Sequence, residues 1–163
     1  MNAGAVLFIA FLVLQRLAEL VWARRNTARL LAEGATEHGA GHYPLIVALH
    51  AAWLAAIAVL GRDQPVQPLW LAGFVVLQAA RLWVLATLGR RWTTRIIVTE
   101  APLVTTGPFR WLRHPNYTVV VLEIFVAPMV LGLLWVAMVF TLLNAVVLAI
   151  RLRAEEAVLS PRR

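Results

Sequence analysis

Cysteine and lysine are both missing from the 163-residue sequence. The lack of cysteine excludes disulfides, thiolate metal sites and thiol nucleophiles, and we expect no metal centre. The lack of lysine means that all fifteen basic residues are arginines. Charged residues of both signs make up 14% of the chain, whereas a soluble domain has about a quarter. The composition therefore argues against a water-soluble domain.

Apolar residues are correspondingly abundant. They make up 61% of the chain, and the mean hydropathy is +0.77. Five apolar stretches stand out, at residues 3–22, 43–60, 69–88, 115–131 and 133–150. A helix needs about 20 apolar residues to cross a bilayer. The sequence predicts an all-α integral membrane protein with five transmembrane helices in a single domain, 1–163, in which Gly132 joins the last two helices as a tight hairpin.

The arginines predict the orientation. If five spans cross the membrane, the connector between spans one and two, the connector between spans three and four and the C-terminal tail all lie on one side. These three segments hold twelve arginines, whereas Arg62 is alone on the other side. Because basic residues favour the cytoplasmic side, we expect the N-terminus outside and the segment 151–163 in the cytoplasm. The first stretch lacks the basic start and the cleavage site of a signal peptide, so we interpret it as a span.

The connector between the third and fourth spans, residues 90–116, is the least helical part. Its β-branched runs at 93–98 and 103–106 are interrupted by Ala101-Pro102 and followed by Gly107-Pro108. This pattern predicts a short hairpin or an extended loop on the membrane surface.

Polar side chains occur inside the spans at a similar depth. At about 1.5 Å per residue they fall roughly 10 Å below the inner surface. They are Arg16, Glu19, His50, Arg81, Glu123 and Asn144. Ionisable residues inside a membrane usually mark function or a paired contact. Their common depth predicts a shared polar cavity open to the cytoplasm; the alternatives are simple ion pairing among them and a structural hydrogen bond for His50.

Two strings carry further chemistry. The first, Arg113-His114-Pro115-Asn116-Tyr117, leads into the fourth span. Proline presets the first helical turn, and the free amides after it can hold a carboxylate. The second, Arg151-Leu152-Arg153-Ala154-Glu155-Glu156, follows the fifth span. Its two acids can accept hydrogen bonds from ribose hydroxyls or from an ammonium group.

These strings resemble the "RHPxY" and "RxxxEE" motifs of the isoprenylcysteine carboxyl methyltransferase family and its bacterial relatives. The close match runs from residue 105 to residue 156. Glu37, His42-Tyr43-Pro44 and His50 resemble a subgroup of small bacterial members. Some members of that subgroup accompany type III polyketide synthases and O-methylate long-chain resorcinols or pyrones.

The resemblance implies S-adenosylmethionine as the cofactor and a lipophilic acceptor from the bilayer. The acceptor would be an isoprenylcysteine-like carboxylate or the hydroxyl of an alkylresorcinol or alkylpyrone. The implied cofactor-binding residues are Arg113, His114, Pro115, Tyr117 and Glu155, and the implied catalytic residues are Arg151 and Glu156. The implied location is the bacterial inner (cytoplasmic) membrane, with the active site facing the cytoplasm. The oligomeric state stays open.

Other classes of function remain as alternatives. A small transporter or channel would use the buried charges as an ion path, but such proteins often show symmetric halves. A non-catalytic membrane interaction protein would leave the two motifs unexplained. Nucleic-acid binding needs a clustered basic face, and here the arginines punctuate apolar runs. If the acceptor is a hydroxyl that needs a base, the candidates are Glu156, His50 and Glu123.

Overall fold

The computed structural model describes residues 1–159. Five α-helices dominate these residues: α1 (Ala3–Ala32), α2 (Tyr43–Gly61), α3 (Pro68–Leu88), α4 (Pro115–Met129) and α5 (Leu134–Leu159). A two-stranded antiparallel sheet joins the connectors, β1 (Thr36–His38) and β2 (Ile96–Val98). The end of the predicted cytoplasmic segment, with Arg162 and Arg163, lies outside the described residues.

The helices present their apolar side chains outward. Four of them are long and apolar enough to cross a membrane, and α4 is a shorter apolar helix. Only 22% of the most apolar window of each of the four is buried within the protein. Leu69 and Trp135 are 82% and 77% exposed. A surface of this kind has to be covered by lipid, so the chain is an integral membrane protein.

Two helices continue well beyond the apolar stretches that predict them. α1 continues for ten residues past Trp22, and α5 for nine residues past Ile150. Charged residues limit the depth of a span but do not break a helix. Packing stabilises the end of α1, where the buried Asn26 donates from Nδ2 to the Trp92 carbonyl oxygen at 2.8 Å. The long ends of α1 and α5 therefore belong to the same region as the connectors.

The extended segment expected in the connector 90–116 is present as β2, but its partner was not predicted. β2 pairs with β1 from the first connector, so that Glu37 faces Ile97, and residues 103–106 form no strand. Proline at 102 lacks the N–H that a returning strand would donate. Arg95 reinforces the pairing through Nη1, which lies 3.0 Å from Glu37 Oε1. The sheet thus links the two connectors on one side of the helices.

An apolar core fills the opposite end of the bundle. All five helices contribute to it, and its buried members include Phe8, Trp53, Ile57, Phe74, Ile124 and Val136. Trp53 donates from Nε1 to the Ile124 carbonyl oxygen at 3.2 Å, which satisfies its polar atom. The six polar side chains predicted inside the spans are not members of this apolar core.

Gly107 fixes the lead-in to α4 against α3. Its φ is +56°, and an added Cβ would lie 2.6 Å from Thr87 Oγ1. We expect Gly107→Ala to destabilise the protein by about 1–3 kcal/mol, since the left-handed backbone and the close approach both disfavour a side chain. Thermal unfolding in detergent should show a midpoint several degrees lower. Gly41→Ala is the control, because nothing lies within 4 Å of a Cβ added there; equal midpoints for the two variants would contradict the argument.

Candidate active site

The start of α4 and the end of α5 meet through Tyr117. Its hydroxyl donates to Glu155 Oε2 and accepts from Arg151 Nε at 2.7 Å. Arg151 also donates from Nη1 to the Thr94 carbonyl oxygen at 2.7 Å, and its Cζ lies 5.3 Å from the centre of the Tyr117 ring. The two predicted motifs are therefore in direct contact, and a carbonyl of the connector fixes the arginine.

His114 packs beside this contact with one nitrogen unused. Its ring stacks on Tyr117, with 5.4 Å between centroids and 20° between planes. Nδ1 lies 3.8 Å from Glu155 Oε1. Nε2 is buried and has no hydrogen-bond partner within residues 1–159. Because buried polar atoms are nearly always paired, this nitrogen needs a partner other than the described side chains, which a water or a ligand can supply.

The other motif residues take different positions. Pro115 is buried at the first position of α4 and contributes by shaping the turn. Arg113 and Glu156 are 74% and 50% exposed, with 3.9 Å between Nη1 and Oε1. Arg113 borders the cavity described next, whereas Glu156 borders neither cavity. The structure thus places Glu156 farther from the centre of the site than its neighbour Glu155.

A first cavity of about 440 Å³ lies between the motifs and the connector. That volume is in the usual range for a small-molecule site. Its polar border includes Arg113, His114, Tyr117, Arg151 and Glu155. Its apolar border comes from the connector and includes Ile96, Val98, Leu103, Val104 and Phe109. The cavity thus combines charged and apolar surfaces, as a mixed organic ion requires.

A second cavity of about 310 Å³ runs deeper between α1, α2, α4 and α5. Most of its surface is apolar, from residues such as Leu17, Ile46, Val47, Leu54, Val120 and Leu148. Five residues border both cavities and are called the shared wall: Trp92, Thr93, Asn116, Tyr117 and Arg151. If each cavity held a ligand, the two ligands would therefore meet at the shared wall.

Four of the deep polar residues form an ion-pair cluster at the far end of the second cavity: Arg16, Glu19, Arg81 and Glu123. Arg81 binds Glu19 through two nitrogens, at 2.5 and 2.6 Å, and donates from Nη1 to Glu123 Oε2 at 2.5 Å. Arg16 donates from Nη2 to Glu123 Oε2 at 2.8 Å. The cluster has equal numbers of positive and negative charges, which lowers the cost of burying them.

His50 and Asn144, the other deep polar residues, lie outside the cluster and border the second cavity. Simple ion pairing thus accounts for four of the six. His50 makes a structural hydrogen bond through Nδ1 to the Ile46 carbonyl oxygen at 2.9 Å, and Asn144 Nδ2 has no partner among the described residues.

Sequence reasoning missed the contribution of the connector to the shared wall. Thr94 acts through its backbone carbonyl and through Oγ1, which lies 3.0 Å from the Tyr43 hydroxyl. Trp92 is 3% exposed, and its Nε1 has no partner among the described residues. A backbone acceptor leaves no mark in a sequence, and the burial of a tryptophan that follows two arginines cannot be read from it.

In this membrane-embedded bundle a polar cavity and an apolar cavity thus meet at one wall. A sequence profile of the Isoprenylcysteine carboxyl methyltransferase (ICMT) family matches residues 70–161. The chain belongs to this family and is a membrane methyltransferase. It is also 39% identical to the uncharacterized protein YpbQ of Bacillus subtilis (strain 168), over 94% of this chain and 95% of that protein. No solved structure matches the chain.

Proposed function

We propose that the protein is an S-adenosylmethionine-dependent O-methyltransferase that acts on a lipophilic acceptor at the cytoplasmic face of the membrane. The acceptor is an isoprenylcysteine-like carboxylate or the hydroxyl of an alkylresorcinol or alkylpyrone. The observation that carries the proposal is the shared wall, where a mixed polar cavity meets an apolar one beside the Tyr117–Arg151–Glu155 contact.

The first cavity suits the cofactor group by group. The Arg113 guanidinium is a donor for a carboxylate, and the unpaired His114 Nε2 is a second one in the tautomer that carries its proton there. The Glu155 carboxylate is an acceptor for an ammonium group or for ribose hydroxyls. Aliphatic side chains of the connector, such as Val98 and Leu103, can cover an adenine ring. Residues 96–98 and 103–109 thus supply a nonpolar face, and the helix ends supply the charges.

The chain's own residues position and screen the reacting groups. S-adenosylmethionine supplies an activated methyl group on a sulfonium centre. Arg151 lies where the acceptor oxygen has to enter and can orient its negative charge, but arginine is not a base. A carboxylate acceptor is already ionised near neutrality, so positioning and exclusion of water would suffice for it. The Tyr117 ring already stacks on His114 and lies 5.3 Å from Arg151 Cζ, so it holds both side chains at the same wall.

The acceptor is proposed to enter the second cavity from the lipid. Apolar residues of several helices line that cavity, and Arg16, Glu19 and Arg81 of the ion-pair cluster border it. The buried charges pair with one another, which does not favour a transporter or channel that would use them as an ion path. The contact between the two motifs likewise does not favour a purely structural role.

Binding of the cofactor tests the proposal directly. Calorimetry on the detergent-solubilised protein should show saturable binding of S-adenosylmethionine, and labelled cofactor should transfer methyl to an extractable lipid in a panel of prenylcysteines, alkylresorcinols and alkylpyrones. The related product S-adenosylhomocysteine should compete for binding. Failure to bind either compound would refute the cofactor assignment, and binding without labelling of any acceptor would refute the proposed acceptor classes.

The orientation has a separate test, for which the lack of cysteine is convenient. Ala32 ends α1 and Gln64 lies in the opposite loop, and both residues are exposed. In spheroplasts, we expect a membrane-impermeant maleimide to label Gln64→Cys at once and Ala32→Cys only after permeabilisation. The unsubstituted chain is the blank. The reverse order of labelling would place the proposed site on the outer face.

A further inference from the structure

We infer that His50, Asn144 and Arg16 form a second binding subsite, which takes a hydroxyl group of the acceptor deeper in the second cavity than the oxygen that is methylated. The inference rests on the proposed function, since it concerns the same acceptor. It adds a specificity determinant outside both sequence motifs. The three residues come from α2, α5 and α1 and border the same cavity.

The tautomer of His50 follows from its hydrogen bond. Nδ1 lies 2.9 Å from the Ile46 carbonyl oxygen, and a carbonyl can only accept. Nδ1 of the neutral ring therefore carries the proton, and Nε2 has a free lone pair. Among the described residues, the hydrogen bond of the ring is the one at Nδ1. His50 thus presents an acceptor to the second cavity.

Two unpaired donors accompany this acceptor. Asn144 is 4% exposed, and its Nδ2 has no partner within residues 1–159. Arg16 uses Nη1 and Nη2 for Glu19 and Glu123, but its buried Nε is unpaired in the same part of the chain. A buried donor without a partner is unfavourable. Both donors would gain a hydrogen bond if a ligand supplied an acceptor oxygen.

Arg16 and His50 both lie against the Trp53 side chain. The Arg16 Cζ lies 5.9 Å from the Trp53 ring, and the His50 and Trp53 ring centroids are 6.5 Å apart. His50 follows Tyr43 by two helical turns, and Asn144 precedes Arg151 by two turns. At 1.5 Å per residue, the subsite lies up to about 10 Å deeper than the layer of Tyr43 and Arg151.

The mixture of donors and acceptor selects the chemical group. A carbonyl oxygen would satisfy Asn144 and Arg16 but would leave His50 Nε2 unpaired. A hydroxyl satisfies both kinds of partner, because it donates to Nε2 and accepts from the N–H groups. Arg16 also belongs to the ion-pair cluster, whose two arginines and two glutamates leave no net charge to attract an ion. The acceptor therefore carries at least two oxygens, one methylated at the shared wall and one hydroxyl held below it.

The test compares acceptors that share one alkyl chain and differ by one hydroxyl: an alkylphenol, an alkyl-substituted diol on one ring, and a diol on two adjoining rings. With protein in lipid nanodiscs, we expect at least one diol to be methylated with about tenfold higher kcat/KM than the phenol, the value of one hydrogen bond. In His50→Leu and Asn144→Leu, we expect the ratio of kcat/KM for the diol to that for the phenol to fall towards one. The fall should come from a lower kcat/KM for the diol, with the value for the phenol unchanged. His50→Gln, which keeps a polar group, should retain part of it. Leu142→Ala, an apolar change on α5 that borders neither cavity, should leave the ratio unchanged.

Acceptor binding in the presence of S-adenosylhomocysteine gives a readout without turnover. A diol preference that depends on His50 and Asn144 but occurs without methylation would uphold the subsite and refute the proposed function for these acceptors. Methylation of the phenol and the diols at equal rates would uphold the function and overturn the subsite. A preference that survives both leucine variants would also overturn it.

Discussion

Glu155→Gln is expected to weaken the binding of S-adenosylmethionine by about 10- to 100-fold, the range for one hydrogen bond to a charged group. The Glu155 carboxylate accepts from the Tyr117 hydroxyl and faces His114 Nδ1. Glutamine keeps the size of the side chain but removes the charge that an ammonium group would meet. Titration calorimetry with the cofactor and with S-adenosylhomocysteine would measure the effect.

The control for this change is Glu33→Gln. Glu33 is 61% exposed, pairs with Arg29 at 3.4 Å and borders neither cavity. Its substitution should leave the dissociation constant within about twofold, as is usual for a surface position. His114→Ala should weaken cofactor binding in the same direction as Glu155→Gln, because it removes the unpaired Nε2. Unchanged affinity in both site variants would show that the first cavity does not hold the cofactor.

Arg151→Lys should reduce methyl transfer by at least about 100-fold while cofactor affinity changes much less. Arg151 donates to Tyr117 and to the Thr94 carbonyl from two different nitrogens. The single ammonium of lysine cannot reproduce that planar geometry. A group that acts mainly on the reacting oxygen shows its loss in kcat rather than in cofactor binding. Single-turnover labelling of the lipid acceptor at saturating cofactor would measure it.

Arg153→Lys is the matched control, since Arg153 lies two residues away and is exposed. It should retain turnover. If the Arg153 and Arg151 variants lost activity equally, the effect would reflect a general need for arginine at this membrane face. If Arg151→Lys lost cofactor binding and turnover in equal measure, Arg151 would belong to the cofactor site alone.

The sequence predicted the helices better than the surroundings of the site. Apolar runs of about 20 residues have few structural alternatives in a membrane protein, and α2 and α3 lie within one residue of the predicted spans at each end. The ends of α1 and α5 were missed because hydropathy detects the lipid-covered part of a helix only. β1 and β2 were missed as a pair because strands of three residues show no readable periodicity.

The sequence could suggest that the two motifs lie close in space, but it could not give the contacts between them. Tyr117 and Arg151 face the same region because α4 and α5 are joined by a turn of four residues, with Gly132 at a φ of +67°. The deep polar residues were predicted from depth alone, and depth does not distinguish neighbours. Helix rotation decided that Arg81 would bind Glu19 and Glu123 while His50 and Asn144 faced the cavity.

The pairing of β1 with β2 has a consequence for how the protein is made. β2 borders the first cavity, and it is paired with a strand that lies outside residues 70–161. Arg16 and Glu19 of α1 likewise contact side chains on α3 and α4. The site is therefore completed only when the first helix and the last are both inserted, so that a nascent chain still leaving the ribosome has no finished place to bind its ligands.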